Sequence, residues 1–212
     1  MRSQSAAPWW HRATVAITAV ALATQLVLVL AGSAVLVEDE PPPLPTQLLR
    51  LVSYFTIQAN VLVLAAALTL ARRPDRDGRA WRVMRLAGLN GIVVTGLVHW
   101  FLLRPLLHLT GWSYAVDKLL HVVVPLLAVL GWLLFGPRPR VTVRVIGLSM
   151  IWPLAWLTYT IIMGRLTGWY PYPFLDIDTL GVAAVALVSL GITMLFLVLS
   201  TLLWLADRRL PA

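Results

Sequence analysis

Few side chains in this sequence are suited to covalent chemistry, and most of them fall near one end of long apolar runs. Asp117 and His121 stand four apart, which on a helix puts them on one face, where the carboxylate can orient the imidazole and support it as a base. Asp117 is equally suited to an interfacial ion pair with Lys118 or Arg104. Thr56 lies in the run Tyr54-Phe55-Thr56-Ile57-Gln58-Ala59-Asn60. A hydroxyl is a weak nucleophile until a base takes its proton, and a neutral imidazole suits that task near neutral pH. Alone, a threonine in a membrane helix more often bonds a backbone carbonyl or a neighbouring helix, and a lone His99 is more often a packing residue. Shared depth is what joins them: at 1.5 Å rise per residue, Thr56 falls about 12 Å and His121 about 8 Å below the same membrane face, so the two can be neighbours in a bundle. Asn60, His99 and Tyr159 fall at compatible depth to serve as oxyanion donors. The loop Gly168–Asp178 adds Tyr172 and Asp176 on that side. Its Trp and Tyr suit an interface, whereas Asp176 and Asp178 are poor anchors in lipid. His108 and His11 read as interfacial. The absence of cysteine excludes disulfides, thiolate metal sites and a cysteine nucleophile.

Membrane helices must position these groups. The 212 residues are 59% hydrophobic and 12% charged, with a mean hydropathy of +0.82, too apolar to build a water-facing surface. A spanning helix needs about 20 mostly apolar residues. Six stretches qualify, near residues 13–37, 48–71, 83–103, 115–135, 143–163 and 179–206. The expected fold is therefore all-α: a polytopic six-transmembrane-helix bundle forming a single membrane domain over residues 1–212. The first stretch has small residues at Ala31-Gly32-Ser33-Ala34, as a cleaved signal would, but its apolar core exceeds the usual 7–15 residues and favours a retained anchor.

A formal charge of +8 would suggest nucleic acid on a soluble domain. Here the basic residues sit between apolar runs, so they read as topology signals and no nucleic-acid partner is expected. With the N-terminus inside, Arg2, Arg12, Arg72, Arg73, Arg76, Arg79, Arg82, Arg85, Arg138, Arg140, Arg144, Arg208 and Arg209 fall inside, against Arg50, Arg104, Lys118 and Arg165 outside. The positive-inside rule then puts both termini in the cytoplasm, in a multi-pass protein of the cell membrane. Glu38-Asp39-Glu40 with Pro41, Pro42, Pro43 and Pro45 becomes a stiff extracytoplasmic loop. The polar groups then line an outer-leaflet cavity.

Three segments carry a resemblance that extends over nearly the whole chain. Tyr54-Phe55-Thr56-Ile57-Gln58-Ala59-Asn60, Asp117-Lys118-Leu119-Leu120-His121 followed by Pro125, and Thr167-Gly168-Trp169-Tyr170-Pro171-Tyr172-Pro173-Phe174-Leu175-Asp176 resemble the androgen-induced (FAR-17a-type) integral membrane hydrolase family and its bacterial relatives. Animal members are six-span hydrolases of fatty-acid esters of hydroxy fatty acids that use an intramembrane threonine and a histidine. The resemblance implies Thr56 as nucleophile and His121 as general base. It departs at Asp117, an Asn in the animal proteins, and at Lys118, where they have a His.

The function expected is hydrolysis of lipid esters by covalent acyl transfer, with a lipid or amphiphilic substrate and no cofactor. Acyl chains would lie between helices, against Trp152, Trp156 and leucine-rich faces. One alternative is a non-catalytic carrier or binder of a small amphiphile. Another is a metal-binding membrane protein that uses His99, Asp117, His121, Asp176 and Asp178, although these lack the local spacing of a known ligand motif. The sequence carries no sign of an oligomeric state.

Overall fold

The computed structural model describes residues 2–32 and 42–210, with side chains from Ala6 onward. The acidic Glu38-Asp39-Glu40 segment with Pro41, the small residues Ser33-Ala34 and the end of the first expected span lie outside the described residues. The chain is all-α, without a strand among the described residues. In order come α1 (Arg2–Leu30), α2 (Leu44–Ser53), α3 (Phe55–Arg72), α4 (Arg79–Val98), α5 (Gly111–Lys118), α6 (Val124–Phe135), α7 (Val143–Ser149), α8 (Ile151–Thr167), α9 (Ile177–Leu180) and α10 (Val182–Arg209). π-Helical turns at His99–Leu103 and Leu119–Val123 extend α4 and join α5 to α6. Among the described residues, six helical stretches are long and apolar enough to cross a bilayer: Ala6–Leu30, Phe55–Arg72, Arg79–Leu106, Gly111–Phe135, Val143–Thr167 and Val182–Arg209. The protein is a multi-pass membrane protein.

The third span is the hub. It is 61% buried, against 11% for the sixth, so the sixth presents most of its surface to lipid. The reason is side-chain size on α4: a Cβ at Gly88 would meet the Leu62 Cβ at 3.0 Å, and one at Gly91 would meet the Trp152 ring at 2.7 Å. Small residues let backbones close in where lipid supplies no hydrophobic drive between helices. α3 packs on this face, α1 packs on α3, and α6 closes against α1 and α4.

At the end of the bundle away from Thr56, Asp207 accepts the backbone N–H groups of Arg140 (2.6 Å) and Val141 (2.7 Å). Arg85 donates to the carbonyls of Gly136 and Pro137. These bonds tie the end of α10 and the middle of the bundle to the α6–α7 connection, and they satisfy charges whose burial would otherwise be costly. In the α3–α4 loop Asp77 binds Arg82 through both carboxylate oxygens, at 2.5 and 2.6 Å, which holds its carboxyl well below the usual carboxylate range. His11, expected at an interface, is instead buried beside Phe135 at this end; His108 is exposed.

The second span differs most from expectation. A continuous helix over residues 48–71 is interrupted at Tyr54, whose φ of −65° and ψ of 127° are extended. Neither glycine nor proline marks the break. Side chains donate to the carbonyls that the break leaves orphaned: Gln58, six residues on, to that of Val52 (3.0 Å), and the Trp156 indole of α8 to that of Ser53 (2.8 Å). Thr56 thereby moves from mid-helix to the first turn of α3.

The loop after α8 is anchored by close packing. A Cβ at Gly164 would enter the Tyr170 ring, while the Tyr170 hydroxyl donates to Asp178 at 3.2 Å. Gly164→Ala should therefore destabilise the protein by about 1–3 kcal/mol, the usual cost of overpacking, and lower Tm. Gly147→Ala is the control for thermal unfolding, because a Cβ there meets nothing within 4 Å.

Candidate active site

Three elements bring the polar groups together. Thr56 is the second residue of α3, Asp117 the last but one of α5, and His121 sits within the π-helical turn Leu119–Val123. His99 opens the other π-helical turn. Both turns have a proline just beyond them, Pro105 and Pro125, which cannot donate a backbone hydrogen bond and so favours a shifted register. Gly96 lets α4 approach the second turn, since a Cβ there would stand 3.0 Å from the His121 carbonyl oxygen.

The geometry is a relay. Thr56 Oγ1 lies 3.2 Å from His121 Nε2. On the other side of the ring, Nδ1 lies 3.0 Å from both Asp117 Oδ1 and the Asp117 carbonyl oxygen. Two acceptors on Nδ1 place the proton there, which leaves the Nε2 lone pair to accept the Thr56 hydroxyl proton. The second carboxylate oxygen is 2.9 Å from Lys118 Nζ and 3.4 Å from His99 Nε2. The ion pair with Lys118 and the bond to His121, which compete on sequence alone, coexist. Asp117 is 7% exposed; donors on both oxygens offset the desolvation of its charge.

Tyr172 supplies the fourth wall. Its hydroxyl is 3.3 Å from Thr56 Oγ1 and accepts the Thr56 backbone N–H at 3.3 Å. Burial pushes this phenol up from its usual value, against the opposing effect of its bonds to Thr56 and to the Phe55 backbone. It is therefore protonated at neutral pH and able to donate. Because α3 begins at Phe55, its first two N–H groups, those of Phe55 and Thr56, meet at the Tyr172 hydroxyl, with the positive end of the helix dipole behind them.

His99 is 2% exposed and stacks on His121, with centroids 3.9 Å apart and rings 17° from parallel. Neither ring nitrogen of His99 has a hydrogen-bond partner, and 3.4 Å to Asp117 is long for one. His99, Asp117 and His121 offer potential metal-ligand atoms within 4.8 Å of one another. Ligation needs in-plane lone pairs that converge on one point about 2 Å away. Stacked rings hold theirs nearly parallel, and His121 Nδ1 is engaged by Asp117, so the set is better arranged to move protons than to hold an ion.

The remaining candidates lie elsewhere. Asn60 is fully buried one turn along α3, but its amide donates to the carbonyls of Thr56 (2.8 Å) and Leu120 (3.4 Å). Its role is to join α3 to the histidine turn. Tyr159 bonds the Ser53 hydroxyl at 2.8 Å and lines a separate cavity with Arg50 and Trp169. Asp176 caps α9, accepting from Asp178 N (2.9 Å) and Thr179 N (3.0 Å), and the bond from the Thr179 side chain holds its carboxyl below the usual range. Neither reaches the relay, because depth fixes a residue's height in the bundle and not the direction it faces. The first-turn N–H groups of α3 were missed, since the sequence carries no breaker at Tyr54.

Among the described residues, two cavities open on Thr56. One includes Thr56, Val94, Met150, Leu157, Ile192 and Phe196 in its lining. The other includes Gln25, Leu28, Thr56, Ser113, Asp117 and His121. Comparison with family models, curated proteins and solved structures finds no match for the chain.

Proposed function

We propose that the protein is an intramembrane hydrolase of lipid esters, with Thr56 as nucleophile and His121 as general base oriented by Asp117. The observation that carries this reading is the unbroken line from Thr56 Oγ1 through His121 Nε2 and Nδ1 to Asp117 Oδ1, with steps of 3.2 and 3.0 Å. The segments that resemble the androgen-induced hydrolases include the same residues.

In the first half-reaction Thr56 Oγ1 bonds to the ester carbonyl carbon while its proton passes to His121 Nε2. The carbonyl oxygen becomes an oxyanion, facing the Tyr172 hydroxyl, which the Thr56 N–H supports from behind. The bond to the alkoxy oxygen then breaks, and His121 returns the proton to the departing alcohol. In the second half-reaction water gives a proton to His121 and adds to the acyl-threonine. Breaking the Thr56 Oγ1–acyl bond, with the proton returned to Oγ1, releases the fatty acid. Asp117 stabilises the imidazolium formed in each half.

The direct test is turnover of a panel of lipid esters by the purified protein, with and without a metal chelator. A fluorophosphonate probe should label wild type at Thr56 and fail to label Thr56→Ala, as read by peptide mass spectrometry. Labelling elsewhere, with no ester turned over, would favour a binder. Asp117→Asn should slow turnover only about 10–100-fold, less than the loss of a sole orienting carboxylate in a triad, because the Asp117 carbonyl still accepts from Nδ1 at 3.0 Å.

The proposed setting is the cell membrane, with both termini cytoplasmic and the site in the outer leaflet. The basic bias supports this orientation. Reporter fusions after Arg76 and Arg140 should read cytoplasmic, and a fusion at Asp176 extracytoplasmic.

A further inference from the structure

We infer that the two cavities meeting at Thr56 are separate subsites for the two halves of the ester: the Ile192 cavity takes the acyl chain and the Leu28 cavity takes the leaving alcohol. This assignment rests on the ester-hydrolase reading. The cavities share Thr56, Leu103 and Tyr172, so a carbonyl carbon at Thr56 Oγ1 can send one substituent into each. Chemistry decides which. The departing oxygen must receive its proton from His121 Nε2, and His121 lines the Leu28 cavity only. The alcohol half must therefore leave on that side, and the chain held in the acyl-threonine lies on the other.

The linings fit this division. Among the described residues, Tyr172 is the sole titratable side chain of the Ile192 cavity, whose walls include Val94, Met150, Leu157, Ile192 and Phe196. Such a mostly apolar lining suits a chain that is largely hydrocarbon. Thr95, Ser189 and Thr193 also line it; the Thr193 hydroxyl is bonded to the Ser189 carbonyl at 2.8 Å, and the buried Thr95 hydroxyl has no partner among the described residues. The Leu28 cavity adds Gln25, Ser113, His99 and Asp117, and so admits an alcohol that carries polar atoms. α10, which walls the acyl side, is the span most open to lipid, giving a chain lateral entry from the bilayer.

The test uses the full-length protein in lipid nanodiscs and two ester series: one varies acyl length on a fixed alcohol, the other varies the alcohol on a fixed acyl group. Ile192→Trp should lower the long-to-short ratio of kcat/KM in the acyl series by about tenfold or more, the discrimination expected when a pocket loses room for a few methylenes. It should leave the alcohol-series ratio within about twofold, the scatter of independent sites. Leu28→Trp should do the reverse. Ile192→Ala, which enlarges the cavity without overpacking, should shift the acyl ratio toward long chains and serves if the tryptophan variant fails to fold. Deacylation, followed in single turnovers, should respond to Ile192 variants and not to Leu28→Trp, since the alcohol has already left. Exchanged responses, or both series moving together in each variant, would overturn the assignment while leaving the hydrolase reading intact. Absence of turnover by wild type on every ester would remove the hydrolase reading and this assignment with it.

Discussion

Thr56→Ala should leave a folded protein that turns over lipid esters at least about 10⁴-fold more slowly than wild type, the scale set by removing a nucleophile from a preorganised acyl-transfer site. Folding should survive because the bonds of Thr56 Oγ1 to His121 Nε2 and the Tyr172 hydroxyl are not the sole link between these elements: Asn60 also joins α3 to the histidine turn through the Leu120 carbonyl. One such hydroxyl in a membrane helix is worth about 0.6–2 kcal/mol. His121→Ala should be equally inactive. The double variant should be scarcely slower than either single one, because nucleophile and base act as a unit. Thr56→Ser keeps the hydroxyl and should retain measurable turnover, whereas Thr56→Val keeps the shape and should not. The measurements are kcat on a lipid ester and Tm for each variant. Wild-type turnover by a folded Thr56→Ala protein would end the nucleophile assignment.

Tyr172→Phe should lower kcat by about 10²–10³ with little change in KM, the usual consequence of losing one donor to a developing oxyanion. The hydroxyl is 3.3 Å from Thr56 Oγ1, within reach of an oxygen on the attacked carbon. The substitution is clean because the ring keeps its contacts: it stacks on Phe174 with centroids 5.3 Å apart and meets Tyr54 edge-on at 5.8 Å. A loss confined to KM would assign Tyr172 to substrate packing. Unchanged kinetics would leave the α3 backbone N–H groups as the oxyanion site.

The parts of this arrangement legible in the sequence are those fixed by helix periodicity and helix length. Six apolar runs predict six spans. The separation of Asp117 and His121 predicts their contact, and counting from the membrane face predicts that Thr56 and His121 share a level. The rest depends on which partners a group meets in the folded bundle. The break at Tyr54 is held by the nearby Gln58 and the distant Trp156, and local composition there resembles any other helical stretch. Asn60 and Tyr159 have the right depth but donate to a backbone carbonyl and a serine hydroxyl, since depth says nothing of azimuth. Asp176 is an acidic residue at a membrane edge whose side chain is consumed by capping. The resemblance-bearing loop, by contrast, does deliver Tyr172 to Thr56, over a sequence separation no local rule bridges.

The two π-helical turns, His99–Leu103 and Leu119–Val123, bear on how such a site can change over generations. A π turn accommodates one residue more than the α-helix it interrupts. Deleting a single residue from Leu119–Val123 would restore regular helix with the flanking segments in place, and would change the direction in which the residues of the turn itself, His121 among them, face. Point substitutions can retune the apolar linings of the two cavities residue by residue, but one-residue insertions and deletions in these two short stretches re-aim a histidine wholesale. Length variation should therefore be tolerated in the inter-helix loops and purged from these turns. A deletion scan read by fluorophosphonate labelling would map that boundary residue by residue.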